Sequence, residues 1–128
     1  MNLARALNAI AGNLIPLLNS ASADPSPESQ ANAASLTRVI NALLTDAMQA
    51  NALDVEQKLA AAADALQRLT AFTTQADAAS QRLAKQQSNV TRFVSLATNV
   101  GKLIVAAASG NVVAAGTAIG SACGDLGI

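Results

Sequence analysis

From Val55 to Ala108 one stripe of apolar, small or uncharged residues recurs at alternating steps of four and three, with no interruption. It reads Val55, Leu59, Ala62, Leu66, Leu69, Thr73, Ala76, Ser80, Leu83, Gln87, Val90, Val94, Ala97, Gly101, Ile104 and Ala108. Those steps fit the 3.6-residue turn of an α-helix and not the two-residue period of a strand. One continuous helix over the stripe would be about 80 Å long, a length that a coiled coil sustains but an ordinary globular helix does not. Its weakest part lies between Thr73 and Ser80. "KQQSN", residues 85–89, is the natural place for a break, with Ser88 as a new N-cap. That segment holds no Gly or Pro, so a helix over 54–87 either stops there or continues into 88–109.

The remaining segments carry the same period. Leu3, Leu7, Ile10, Leu14 and Leu17 mark an amphipathic helix over 1–19, which Pro16 is expected to kink or end. This N-terminal stretch, with Arg5 and the A-x-A of Ala21 and Ala23, outlines a secretory signal. Asn8 and Asn13 interrupt its apolar run, however, and favour a structural helix. Residues 20–26 read as a linker. Ser26, Pro27 and Glu28 then form a helix start of capping hydroxyl, first-turn proline and acid at the positive end. The helix over 27–50 carries Ala33, Leu36, Ile40, Leu43, Ala47 and Ala50. "QANALD" is a short turn, and Asp54 with Gln57 is a capping-box pattern for the helix that follows. So short a turn predicts antiparallel neighbours, with Leu59, Leu66, Leu69 and Leu83 packed on the Leu36–Leu43 stripe.

Beyond residue 90 a second stripe runs beside the first: Phe93, Leu96, Val100, Leu103 and Ala107. A helix apolar over most of its circumference requires cover on several sides. Gly110 suits a left-handed cap and Asn111 an N-cap, so residues 88–109 and 111–124 form a helical hairpin poor in charge. The last helix holds Gly116, Gly120 and Gly124, two overlapping G-x-x-x-G units. Glycine costs a helix about 1 kcal/mol against alanine. Its return is a shallow face on which another helix backbone approaches closely. The expected contact set is Gly116, Gly120 and Gly124 with Gly101, Phe93 and Val100. The partner is the 90–109 helix or its equivalent in a second copy.

The fold class is therefore all-α. The chain reads as one domain over 1–128, a bundle of four to five helices in antiparallel hairpins with Ala/Leu heptad seams and a small-residue apolar C-terminal hairpin. Alanine supplies 31 of the 128 residues, and Phe72 and Phe93 are the only aromatics. Such a core is made of many small contacts, and a small-molecule pocket, usually rich in aromatics, is not expected.

The sequence contains no histidine. Histidine is the commonest general base and metal ligand, so most hydrolytic triads and zinc sites are excluded. No phosphate-cradling G-x-x-x-x-G-K-[ST] or G-x-G-x-x-G motif occurs. No enzyme activity, cofactor or metal is expected. Cys123, the lone cysteine, reads as a small buried residue and leaves the compartment open between cytoplasm and secretion. The net charge is zero but uneven: from Arg82 onward there are four bases, Arg82, Lys85, Arg92 and Lys102, and a single acid, Asp125. That basic collar beside an apolar hairpin suits an anionic membrane surface. It is too sparse, and too poor in aromatics, for nucleic acid.

The apolar hairpin is similar in composition to the membrane-inserting hairpins of helical pore-forming toxins. The abundance of Ala, Asn, Gln and Ser without His, Trp or Tyr is similar to that of secreted bacterial helical filament proteins. Neither likeness carries a diagnostic motif. The expected function is helix–helix association, with a second copy or a protein partner; the alternative is a membrane-active protein that inserts its C-terminal hairpin.

Overall fold

A computed structural model describes residues 2–128. The described residues form an all-α bundle with no strand. Its helices are α1 (Leu3–Ala23), α2 (Pro27–Leu53), a single turn α3 (Val55–Lys58), α4 (Ala63–Leu83), α5 (Val90–Ala108) and α6 (Val112–Leu126). The five long helices close into a ring in the order α1, α2, α5, α6, α4, each packing mainly on its two neighbours.

Local chemistry sets most of the boundaries. Asn2 caps α1, its Oδ1 accepting the Arg5 N–H at 2.9 Å. Pro16 does not end the helix, which continues to Ala23 because Leu14, Leu17 and Ala21 hold the same buried stripe on both sides of it. Gly12, whose carbonyl the proline leaves without its helical donor, is exposed to water. The linker is therefore only Asp24, Pro25 and Ser26. Ser26 caps α2 as its sequence predicts, its Oγ accepting the Ser29 N–H at 3.2 Å.

The expected Asp54–Gln57 capping box is absent. Asp54 adopts φ 52°, the one positive φ outside glycine among the described residues, and its side chain makes no cap bond. Its backbone N–H bonds the Ala50 carbonyl and terminates α2, which reaches Leu53 rather than Ala50. Aspartate tolerates this left-handed geometry better than most residues.

The long stripe breaks twice. At residues 84–89 the break forms as a turn of 3-10 helix over Gln87–Asn89. The N-cap position of α5 is Asn89 rather than Ser88, and it makes no capping bond. Its Nδ2 instead donates to the Leu83 carbonyl at 2.9 Å and ties off α4. The second break, at Leu59–Ala62, has no breaker residue in the sequence. There the backbone bonds tighten to Ala60 N–H with Gln57 O and Ala62 N–H with Leu59 O.

That turn overturns the expected pairing of α2 with residues 54–87. It carries the chain past the start of α1, where Glu56 Oε1 accepts the Leu3 N–H, and α4 then rises along the far side of α1. Leu59 and Leu69 are buried, but Leu66 and Leu83 only partly, and α4 packs on α1 and α6. Asn13 Nδ2 ties α1 to α4 at Asp77 Oδ1 (2.8 Å) and Ser80 Oγ (2.9 Å). Asn32 near the start of α2 bonds Gln87 just before α5, so α2 and α5 set out from the same end of the bundle. Phe72 and Phe93, the two aromatics, are fully buried in the small-residue core.

Candidate helix contact site

The C-terminal hairpin forms as its sequence predicts. Gly110 takes φ 76°, and Asn111 Oδ1 accepts the Ala114 N–H at 3.0 Å. α5 and α6 are laced together near the chain end. Ser95 Oγ and Asn99 Nδ2 donate to the two carboxylate oxygens of Asp125 at 3.0 and 2.7 Å, and Arg92 Nη2 donates to the Gly124 carbonyl at 3.4 Å.

The glycine row faces another helix, but that helix is α4, not α5. A Cβ placed on Gly116 would lie 3.5 Å from the Ala65 Cβ, and one on Gly120 would lie 3.4 Å from Arg68 Nη1. A Cβ on Gly124 would meet nothing within 4 Å. The row therefore grades from ordinary packing on Ala65 at Gly116, with room for a Cβ and no unusually close backbone approach, through a shelf for a guanidinium at Gly120, to open surface at Gly124. Arg68 lies along that shelf. Its Nη1 donates to the Gly116 carbonyl at 3.0 Å and its Nη2 pairs with Asp64 Oδ2 at 3.3 Å. Cys123 sits at the same seam, half-buried, 4.0 Å from the Arg68 carbonyl. Burial pushes its thiol up, and the Arg68 charge partly opposes that.

Phe93 and Val100 lie wholly in the core, where α5 meets the rest of the ring. Gly101 is separate from the glycine row. It borders a shallow surface groove with Lys102, Val105 and Ala114, and a Cβ there would meet nothing within 4 Å. The four bases are exposed but not gathered into one patch. Lys85 borders a groove with Gly12 and Pro16 of α1, Arg92 reaches α6, and Lys102 lies about 15 Å farther along α5 than Arg92.

A feature that the sequence stripes did not isolate is the outer seam between α2 and α5. It is a groove of about 330 Å3 lined by Ser35, Arg38, Val39 and Ala42 on α2 and by Val94, Ala97 and Thr98 on α5. Below it on α5, Val105 is 70% exposed. Asp46, one turn beyond Ala42, is half-buried, and burial raises its carboxyl above the usual range. Arg38 and Asp46 have no ion-pair partner among the described residues. The signal for this seam was present in the sequence: Val94, Gly101 and Ala108 belong to the long stripe, yet the ring turns them outward or leaves them half covered.

Among the described residues, no three His, Cys, Asp or Glu side chains come together. Comparison of the chain with protein-family models, curated proteins and solved structures found no match.

Proposed function

We propose that this chain is a non-enzymatic helical protein that works by helix–helix association, with a second copy of itself as the partner. The observation that carries the reading is the outer face of α5, where Val94, Val105 and half-covered Gly101 follow one another on a helix whose other faces are covered by α2 and α6. An apolar helix face left open on a folded bundle is satisfied by another helix. Gly116 and Gly120 face α4 of the same chain, so the reading does not rest on the glycine row. Molar mass in solution, measured over a hundredfold range of concentration, tests the reading. A mass that rises to a defined multiple of 12.8 kDa supports it, and a monomer throughout overturns it.

One observation favours a second reading, membrane insertion: residues Gln87–Ala108 are long and apolar enough to cross a bilayer, and less than half of that window is buried. Insertion requires α5 and α6 to leave the ring as a hairpin, and the Asp125 bonds to Ser95 and Asn99 would travel with it. Binding to vesicles of anionic lipid at low salt, lost on replacing Arg82, Lys85 and Arg92 with glutamine, is the outcome this reading requires. Absence of vesicle binding removes it.

A further inference from the structure

We infer that the α2/α5 seam is a two-fold, antiparallel contact between two copies of this chain, in which Arg38 of each copy pairs with Asp46 of the other across Ala42. The inference rests on the self-association reading and names the surface that performs it.

The argument begins with spacing. On α2 the residues Ser35, Arg38, Ala42, Asp46 and Gln49 follow one another at steps of 3, 4, 4 and 3. Residues at these spacings share a helix face. The series reads the same from either end, with Ala42 at its centre. Turned antiparallel on a copy of itself about Ala42, the face sets Arg38 against Asp46, Asp46 against Arg38, and Ser35 against Gln49. Each charge meets its opposite, and no like pair is created. The centre is a half-buried alanine, small enough for two backbones to approach closely.

The second helix of the seam has the same symmetry at the same level. The α2 wall of the groove runs from Ser35 to Ala42 and its α5 wall from Val94 to Thr98. Taken from the spans of those two walls, and with equal rise per residue along both helices, Ala42 falls near the interval from Thr98 to Gly101. On α5 the outer residues Val94, Thr98, Gly101 and Val105 are spaced 4, 3 and 4, symmetric about that interval. One axis across the seam therefore places Val94 against Val105 and Thr98 against Gly101. Gly101 has open space where a Cβ would stand, and that space receives the opposing backbone.

The charges complete the case. Among the described residues Asp46 has no positive partner, and it is half-buried, an arrangement that disfavours its ionised form. Among the described residues Arg38 makes only a 3.4 Å bond to the Ser35 hydroxyl. A carboxylate and a guanidinium, each without an ion-pair partner among the described residues, stand about 12 Å apart on one face. An antiparallel copy satisfies both at once.

The test is charge reversal with restoration, read as molar mass by sedimentation equilibrium at low and high salt. Arg38→Glu and Asp46→Arg are each expected to raise the dimer dissociation constant at least about tenfold, because each sets like charges together twice per dimer. The double variant, with both changes, is expected to recover most of that loss. Far-ultraviolet circular dichroism establishes that each variant is folded. If the parent chain is a monomer at every concentration, both this assignment and the association reading fall. If the parent is a dimer and the single reversals leave its dissociation constant unchanged, or the double variant restores nothing, this surface is wrong while self-association stands.

Discussion

Arg68 Nη1 donates a hydrogen bond to the Gly116 carbonyl at 3.0 Å, bridging α4 and α6 across 48 residues of sequence. Gly120 leaves room for that bond. A side chain at position 120 would occupy the shelf on which the guanidinium lies, since even a Cβ there comes within 3.4 Å of Arg68 Nη1. The carbonyl of a helical residue has a second lone pair, so Gly116 accepts from Arg68 while remaining within the helix. The row serves as an internal docking face with a polar plank laid across it.

The three glycines are therefore expected to respond differently to substitution. Gly124→Ala fills open space and gains helix propensity, up to about 1 kcal/mol. Gly116→Ala adds an ordinary contact with Ala65 and is expected to be neutral or mildly stabilising. Gly120→Leu displaces Arg68 and is expected to cost about 1–3 kcal/mol. Urea denaturation of the three variants measures the order. Equal responses at all three positions would show that the row is not graded along α4.

Glu56 is expected to matter more than its place in a four-residue helix suggests. Its carboxylate accepts the Leu3 N–H across 53 residues and sits at the positive end of α1. Glu56→Ala removes an acceptor for a free N-terminal amide and is expected to cost about 1 kcal/mol. Glu56→Gln keeps an acceptor without the charge and is expected to cost less. Faster amide exchange in the first turn of α1, in both variants, is the accompanying signature.

Leucines 66 and 69 separate what the sequence displays from what only the fold decides. Both lie on the heptad stripe and carry equal weight as core positions there. In the bundle Leu69 is buried and Leu66 only partly, because the turn at residues 59–62 rotates α4 onto α1 and α6 instead of α2. Leu69→Ala is expected to cost about 2–5 kcal/mol, and Leu66→Ala clearly less. The helical period, the Ser26 and Asn111 caps and the Gly110 turn were legible because each depends on residues within one turn of the chain. The break among four alanines was not, because no local residue causes it; the burial of Val55 and Leu59 and the capping of α1 by Glu56 hold it in place. Arg68 was equally silent, since its partner is set by which helices become neighbours.

Two carboxylates give the monomer opposite responses to acid. Burial raises Asp46, so the folded chain holds that proton more tightly than the unfolded chain does. The destabilisation is present above its folded pKa and disappears as pH falls through it. Asp24 is lowered, first by the Ser26 backbone N–H and then by the Ser29 and Ser26 hydroxyls. Its contribution is full above its ordinary value near 3.8 and is lost as pH falls through the folded value. Acidification from neutral pH is expected to raise the urea midpoint of the dilute monomer slightly and then lower it. Asp46→Asn is expected to remove the rise and keep the fall. A rise that persists in that variant would assign it to another group.

Exposure alone does not identify the face through which two copies meet, and three residues make that distinction measurable. Met48, Val105 and Val113 are 75%, 70% and 77% exposed, so each is an equally good candidate by area. Only Val105 lies on α5, in line with Val94 and Gly101. Val113 borders the groove between α4 and α6, beside Arg68 and Asp64, and Met48 is on α2, on the side turned away from Ala42. Val105→Glu places a charge opposite Val94 of the second copy and is expected to raise the dissociation constant at least about tenfold, since a buried unpaired charge is costly. Met48→Glu and Val113→Glu change the net charge by the same amount, so they control for charge repulsion between copies. Both are expected to leave the dissociation constant within about threefold of the parent, because surface substitutions away from a contact are close to neutral. If Val113→Glu or Met48→Glu breaks the dimer while Val105→Glu does not, the copies meet through a different seam of the ring, and the symmetry about Ala42 is incidental.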